Sequence, residues 1–490
     1  MSGRIRNQLP PGYWELASKA AVALFLLLFF LRLGRMLGSG TSAGFMLAVF
    51  ITGIVVVAFR PLAGFYLCYA LLIIVPVTDQ AIDFPIFHSP LQAIAFMTIG
   101  AALLRFPNSG RRVPRSSIYL PLAVVSSLYV IFTLTSHGDA PAIRLYDFVA
   151  GLWPLILIVL LVETPRQARN VLLSMCATCV GLTVLWLPGL LALSQSKSGQ
   201  LGAQIRAGRK IAGFEANPGA ISLLGVFGAL GVQTLVSLAL VAIVLLGLVV
   251  GTRKWFWPSL FGFIAIALTV FTATIASAVA TLSVGVVAVI VFFAIPSANE
   301  SLIHKAHSVV RLVLVAVLVT AVGLSTPPGQ RALERLTNPR NDVSGEVRLN
   351  SLETGWHAFL ESPWIGLGSV DFYRLSPGGY PLAGHNTFGV MAYEFGLLML
   401  IPFAWMLFTI GRAFWRLLQT ATTQSEAGLA AAFLACFAAA VVTGFITPTF
   451  GQVFQDTILW TLVGLTIVWT EWRREDPDAV LMAGTQHDLS

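Results

Sequence analysis

The residues best suited to chemistry lie in two hydrophilic stretches of an otherwise apolar sequence. Arg206, Arg209 and Lys210 form a basic cluster in the first stretch, and Arg348 and His385 belong to the second. The planar guanidinium of arginine matches phosphate oxygens, so several basic side chains from separate loops could clamp a diphosphate. A neutral histidine near pH 7 can take a proton from an alcohol. The plainer alternatives are a structural loop histidine and arginines that contact lipid headgroups.

Other common catalytic signatures are absent from the sequence. There is no P-loop or HExxH motif, and no Asp, Glu or His cluster has convincing metal-ligand spacing. Gly366-Leu-Gly368 lacks the third glycine of a dinucleotide fingerprint and is interpreted as a turn. Cys176 and Cys179 form a lone CxxC inside an apolar run, which favours core packing. We therefore expect neither a metal nor a cofactor.

The composition indicates the environment in which these residues lie. Of 490 residues, 57% are hydrophobic and 11% are charged, whereas about a quarter are charged in an ordinary soluble domain. The mean hydropathy is +0.82, with a pI near 9.6. This balance excludes a soluble enzyme, a disordered scaffold and a nucleic-acid-binding domain. The net charge of +8 must instead be interpreted along a membrane topology.

Apolar runs predict an all-α, polytopic transmembrane bundle of about 12–14 spans. Fourteen candidates lie near 19–33, 42–59, 61–77, 89–106, 117–135, 143–163, 168–193, 219–250, 257–272, 276–295, 308–325, 387–410, 426–445 and 453–471. The run 219–250 is long for one straight crossing, because 32 residues at 1.5 Å each measure about 48 Å.

Lysine and arginine near the span ends decide the orientation. If 219–250 crosses once, one side receives the N-terminal cluster and the basic residues at 105–115, 166–169, 253–254, 305, 412–416 and 473–474. Splitting the run would separate these clusters, so the single crossing is favoured and both termini are predicted to be cytoplasmic. No clean cleavage site follows the first apolar run, which indicates a retained span.

Two segments then face the other side of the membrane. The basic loop, 194–218, precedes the central helices 219–325, and the large loop, 326–386, precedes the C-terminal helices and tail, 387–490. Residues 1–193 form the N-terminal helices. The large loop is rich in Trp, Phe, Tyr, Gly and Pro, which predicts a folded cap. Helical spacing of Val347, Leu352, Trp356, Phe359 and Leu360 indicates a helix that Asp342 or Ser344 could cap and that ends at Ser362-Pro363.

Local motifs then resemble a known family. His385-Asn386 opens the stretch HNTFGVMAYEFG at the entrance to a span, and Arg348-Leu-Asn-Ser-Leu352 lies upstream. The stretch Gly213-Phe-Glu-Ala-Asn217-Pro218 follows the basic cluster. Together with GWHAFLESPWIGLGSVDFY between them, these motifs resemble the bacterial O-antigen ligase and O-antigen polymerase superfamily of polytopic glycosyltransferases. The resemblance covers about residues 206–410.

The resemblance implies an undecaprenyl-diphosphate-linked glycan donor, a glycan or lipid A-core acceptor, and an active site on the periplasmic face of the bacterial inner membrane. It implies His385 as the base, with Asn386 beside it, and Arg348 as a diphosphate-binding or structural arginine. In the basic loop, Arg209 is the nearer match to the family's diphosphate-binding arginine, and Arg206 is the second choice. Where the family often has Ser-Arg, this sequence has Ser277-Ala278, which favours Arg206 or Lys210 as a substitute. Because a diphosphate is a good leaving group, the resemblance implies an inverting, metal-independent transfer.

Several functions remain open from the sequence. A polymerase, a lipid A-core ligase and a protein O-glycosyltransferase would share the donor site. A lipid-linked glycan flippase or other transporter is the main alternative, but Asp147, Glu394 and Asp456 lie towards span ends, and no internal repeat is obvious. A polytopic structural protein would leave the basic loop unexplained.

Overall fold

The computed structural model describes helices and the connections that hold them. The described residues are 60–72, 90–106, 113–135, 148–149, 151–195, 232–251, 255–272, 276–295, 302–326, 330, 333–334, 337, 353, 355–367, 386–447, 450 and 453–475. Within these ranges the secondary structure is helical and contains no strand. The predicted all-α polytopic bundle is confirmed for this part of the chain.

The long helices follow the predicted apolar runs closely. They are α1 (Pro61–Leu71), α2 (Pro90–Arg105), α3 (Tyr119–Thr135), α4 (Trp153–Leu161), α5 (Pro165–Gln195), α6 (Val232–Gly251), α7 (Phe256–Thr272), α8 (Ala276–Ala294), α9 (Leu302–Ser325), α10 (Thr387–Gln419), α11 (Gln424–Thr443) and α12 (Val453–Glu475). A shorter helix, 355–361, belongs to the large loop and is called the loop helix. The candidate spans 19–33 and 42–59 lie outside the described residues.

Several of these helices can cross a bilayer. Among the described residues, four meet the length and hydropathy of a span: Ser277–Ala294, Ala306–Ser325, Thr387–Gln419 and Gln424–Thr443. Shorter apolar helices lie at Ile94–Arg105, Tyr119–Thr135, Thr234–Val250 and Phe256–Phe271. The described part of the 219–250 run, α6, is one continuous helix of 20 residues, which at 1.5 Å per residue measures about 30 Å, one crossing.

One observed helix is shorter than the span predicted from its apolar run. The run 143–163 predicts a single long span, but α4 comprises only nine residues, after a turn at Leu152. Pro154 occupies the first turn of α4. Proline has no N–H to bond the preceding turn, so it begins a new helix more readily than it continues one. A hydropathy run does not reveal this interruption.

Helix α6 lies at the centre of the core. Its residues 235–248 are all buried, and the helix packs against α7, α8 and α11. Small residues permit a close approach to α11, since a Cβ added at Gly247 would lie 2.6 Å from the carbonyl oxygen of Gly428 and 2.5 Å from the Cβ of Ala432. A helix that is apolar all round is expected at such a buried position. All four cysteines are buried, and core packing of Cys176 and Cys179 is confirmed.

Arginine contacts define one end of the bundle, called here the basic end. Arg474 donates from Nη1 to the carbonyl oxygen of Arg115 at 3.5 Å. Arg473 donates to the carbonyl oxygen of Thr420 and forms an ion pair with the buried carboxylate of Glu426. Glu426 also accepts from the backbone N–H and hydroxyl of Thr422, at 3.0 and 2.9 Å. The beginning of α3 and the ends of α10 and α12 therefore meet, as the charge pattern predicts.

The opposite end is called the Asn386 end. There the hydroxyls of Thr281 on α8 and Thr443 on α11 are 2.9 Å apart. Phe271, at the end of α7, lies against Gly323, near the end of α9. The start of α8 and the end of α11 therefore meet at the end of the bundle away from the arginines, and the ends of α7 and α9 contact each other.

Candidate functional site

Asn386 is the predicted site residue that the structure describes, and it begins α10. Its backbone is extended, with φ −150° and ψ 125°, and its Oδ1 accepts a hydrogen bond from the backbone N–H of Gly389 at 2.7 Å. This is an N-cap, in which a side-chain oxygen satisfies a backbone donor that the first helical turn leaves unpaired. The cap uses the amide oxygen and leaves the two N–H donors of Nδ2 in a half-buried position.

The residues immediately after Asn386 contact the end of α11. The backbone N–H of the buried Thr387 donates to the carbonyl oxygen of Gly444 at 2.8 Å. The rings of Phe388 and Phe445 stack with centroids 4.3 Å apart. These contacts fix where the large loop enters the bundle, and therefore fix the position of Asn386.

A group of hydroxyl side chains lies beneath this junction. Ser277, Thr281 and Thr443 are buried, and Thr281 also donates to the carbonyl oxygen of Ser277 at 2.7 Å. Thr281 and Ser277 belong to the start of α8, where the sequence departs from the family's Ser-Arg pattern. The structure thus brings the start of α8 to the same end of the bundle as Asn386, through Thr443.

Helix α10 is broken at Gly396, ten residues after Asn386. This residue has φ 67° and ψ −166°, outside the helical region. The break frees backbone groups that a continuous helix would pair. In a spanning helix such groups must find partners within the protein, because lipid offers none.

Residues 363–367 of the large loop supply those partners. Leu397 and Leu398 donate their backbone N–H groups to the carbonyl oxygens of Pro363 and Trp364, at 2.8 and 3.0 Å. In return, the N–H of Leu367 donates to the carbonyl oxygen of Tyr393 at 2.8 Å. The loop is therefore bonded into α10 through backbone on both sides of the break.

The loop helix packs beside this junction. Ala358 joins Val390 and Tyr393 in a small apolar cluster with Leu367. A Cβ added at Gly355 would lie 2.9 Å from the ring of Tyr393, so the helix backbone approaches that ring closely. The helix ends at Glu361, before Ser362-Pro363, as predicted. Its predicted earlier part, from 342 to 352, lies outside the described residues.

Contacts from α3 complete the surroundings of the break. The hydroxyl of Tyr129 donates to the sulfur of Met391 at 3.5 Å, and its ring lies edge-on to Phe395 at 5.5 Å. Glu394 is buried in the second turn of α10, and a Cβ added at Gly366 would lie 2.5 Å from its carbonyl oxygen. The sequence motif HNTFGVMAYEFG contains Tyr393 and ends at Gly396, but nothing local marks either residue as a contact of the loop.

The remaining predicted site residues lie outside the described residues. These are Arg206, Arg209, Lys210, Arg348 and His385. Their roles stay predictions from the sequence. Among the residues that the structure does describe, no group of three His, Cys, Asp or Glu side chains is placed to hold a metal ion.

Apolar spanning helices, joined by a large loop that is bonded into a broken helix, define a polytopic membrane protein. Residues 260–404 match the family model described as O-antigen ligase. The match runs from α7 through the large loop into α10 and includes Arg348, His385 and Asn386. The resemblance to the O-antigen ligase superfamily is thereby confirmed, and it supports a membrane glycosyltransferase of the ligase or polymerase type. The basic loop 194–218 lies outside the matched residues. No curated protein matches the chain.

Proposed function

We propose that the protein transfers a glycan from an undecaprenyl-diphosphate-linked donor to an acceptor hydroxyl at the periplasmic face of the bacterial inner membrane. The observation that carries this proposal is the placement of Asn386. Asn386, which follows His385 in the sequence, lies where the large loop joins a spanning helix, within the match to O-antigen ligase. A residue at this junction can meet both a lipid-borne donor and an acceptor arriving from water.

In the proposed reaction His385 acts as the general base. Its neutral imidazole takes the proton of the acceptor hydroxyl as that oxygen attacks the anomeric carbon of the donor. The bond from the anomeric carbon to the diphosphate oxygen breaks, and undecaprenyl diphosphate leaves with the electron pair. One displacement of this kind inverts the anomeric centre. The Nδ2 donors of Asn386 are available to orient the histidine ring or a sugar hydroxyl, because the cap occupies only Oδ1.

The basic residues have the complementary role. Arg206, Arg209, Lys210 and Arg348 would bind the diphosphate and stabilise the negative charge that develops as it leaves. Because a diphosphate is already a good leaving group, this cationic environment suffices in the proposed mechanism without a metal ion. We assign Arg209 the principal contact in the basic loop.

The break in α10 bears on the transporter alternative. Broken spanning helices in transporters often present unpaired backbone groups to an ion or substrate. Here the groups on Leu397, Leu398 and Tyr393 are bonded to residues of the large loop. The break thus serves to attach the loop, which favours an enzyme with a folded external cap.

Reconstitution provides the test. The purified protein in nanodiscs would be incubated with undecaprenyl-diphosphate oligosaccharide and, separately, with a lipid A-core acceptor, a second lipid-linked glycan or an acceptor protein. Mass spectrometry of the product identifies which acceptor gains sugar, and a parallel reaction with EDTA tests metal independence. Donor movement across sealed vesicles without any transfer to acceptor would instead support a flippase.

A further inference from the structure

An exposed apolar surface on the large loop continues the lipid-facing surface of the bundle. It consists of Trp356 and Leu360 on the loop helix and of Trp364 and Ile365 in the turn that follows. Their exposed fractions are 59%, 56%, 70% and 60%. Large apolar side chains gathered on one exposed surface mark a contact with a partner or a membrane.

The loop helix has three distinct faces. At 3.6 residues per turn, Gly355 and Ala358 share the face that packs against α10, whereas Trp356 and Leu360 share a second face. The third face carries the exposed polar residues Glu353, His357 and Glu361, spaced four residues apart. A helix with one face on protein, one apolar and one charged suits the boundary between lipid and water.

The position of the break along α10 gives the depth of this surface in the membrane. Gly396 precedes Arg412, at the basic end of α10, by 16 residues, which corresponds to about 24 Å along a helix. The hydrocarbon core of a bilayer is about 30 Å thick. The break, and with it Trp364 bonded to Leu398, therefore lies close to the edge of the hydrocarbon core at the Asn386 end.

The exposed stripe of α10 leads directly to the same place. Leu398, Ile401, Trp405 and Phe408 are exposed apolar residues on a spanning helix, at the spacing of one face. The carbonyl oxygen of Trp364 accepts the hydrogen bond from the N–H of Leu398, the first residue of that stripe. The loop surface is thus an extension of a lipid-facing surface. Tryptophan is enriched at membrane interfaces, where its ring is partly in apolar surroundings.

We propose that residues 355–367 form an interfacial membrane anchor, with Trp356, Leu360, Trp364 and Ile365 inserted among the phospholipids of the leaflet at the Asn386 end. The occupant of this surface is the bilayer itself. The anchor holds the large loop at headgroup level through contacts that are independent of any glycan substrate.

Site-directed spin labelling tests the anchor in the full chain. Single cysteines replace Trp356, Leu360, Trp364 or Ile365 in protein reconstituted into phosphatidylcholine–phosphatidylglycerol liposomes without donor. The four native cysteines are buried, so labelling is directed to the introduced thiols. Matched controls are His357→Cys and Glu361→Cys, on the polar face of the same helix.

The expected result is a difference between the two faces. Nitroxides at 356, 360, 364 and 365 should collide more with oxygen than with a water-soluble nickel chelate, and those at 357 and 361 should show the reverse. Equal nickel accessibility on both faces would mean that the surface faces water. Low accessibility to both reagents would mean that protein covers it, either another segment of this chain or a second copy. Either result overturns the anchor, and neither depends on glycan transfer, so the test is separate from that of the proposed function.

Two precautions keep the result decisive. If Trp364→Cys does not fold, Ile365→Cys reports on the same turn. A second measurement uses a fluorescent label at position 360 and phospholipids brominated at different depths, and strongest quenching by shallow bromines is expected for an interfacial anchor. Absence of quenching at every depth would contradict it.

Discussion

Gly366 and Gly396 have a reciprocal relationship: each has a positive φ angle, and each faces the backbone that immediately precedes the other. Their φ angles are 70° and 67°. A Cβ at Gly366 would lie 2.4 Å from the carbonyl carbon of Glu394, and one at Gly396 would lie 2.5 Å from that of Trp364. The large loop and α10 thus meet backbone to backbone at a place where neither chain has room for a side chain.

We expect Gly366→Ala and Gly396→Ala to destabilise the protein. A positive φ in a region that is occupied almost only by glycine costs another residue about 1–3 kcal/mol, and the contact with the opposing backbone adds to this. Thermal unfolding in detergent should show a lowered Tm for both variants. Gly181→Ala is the matched control, because its Cβ would meet nothing within 4 Å and alanine favours a helix by about 1 kcal/mol over glycine. Equal Tm values in all three variants would contradict the close contact.

Substitutions of Asn386 separate its cap from its proposed catalytic role. Asn386→Asp retains an oxygen for the N–H of Gly389 and should keep the wild-type Tm, while Asn386→Ala should lose about 1 kcal/mol. If the Nδ2 donors orient the histidine or a sugar, both variants should lose glycan transfer. Full activity in Asn386→Asp would mean that Asn386 only caps α10 and has no role in the reaction.

His385→Ala should lower turnover by about 10²–10⁴-fold, the usual contribution of a general base. Folding and donor binding should persist, and His385→Gln should not restore activity, because an amide cannot accept the proton. Initial rates with saturating donor measure the effect. The control is His357→Ala, an exposed histidine on the loop helix, which should transfer normally. Near-normal transfer by well-folded His385→Ala would remove this residue from the mechanism.

Arg209→Ala should weaken use of the donor more than Arg209→Lys, since lysine retains the charge but loses the bidentate fork. Loss of one charge-assisted hydrogen bond costs about 1.5–3 kcal/mol, which corresponds to a rise of about 10–150-fold in the donor KM. Arg416→Ala, an exposed arginine at the basic end, is the control and should leave KM unchanged. The role is wrong if combined replacement of Arg206, Arg209 and Lys210 by alanine changes neither KM nor turnover.

The proposed topology places residues 194–218 and 326–386 on the periplasmic side. Cysteines introduced at Ser198 and Ser376 should react with an impermeant maleimide in intact spheroplasts. Glu475→Cys, exposed at the basic end, should react only after lysis. Labelling of only one of the two loop positions in intact cells would separate the basic residues from His385 and exclude a shared site.

The sequence predicted the helices well because span formation depends on local apolar length. The run 453–471, for example, forms the helix Val453–Glu475, whose additional turn consists of Trp472 and three charged residues. The interruption in α10 could not be predicted in this way. Gly396 follows an apolar stretch typical of a continuous span, and its positive φ depends on Pro363–Leu367, about 30 residues earlier. The turn at Gly366 was predicted, but the partner that requires it was not.

The hydrogen bond from Thr387 to Gly444 also bears on how much of the chain forms the working unit. The residues that match O-antigen ligase end at 404, yet Gly444 lies 40 residues beyond that limit. A fragment that stopped at the matched boundary would remove the acceptor of the Thr387 N–H and the ring that stacks on Phe388. The smallest independently folding unit that can present His385 and Asn386 correctly must therefore extend through α11. The C-terminal residues beyond the match therefore support the start of α10 through Gly444 and Phe445.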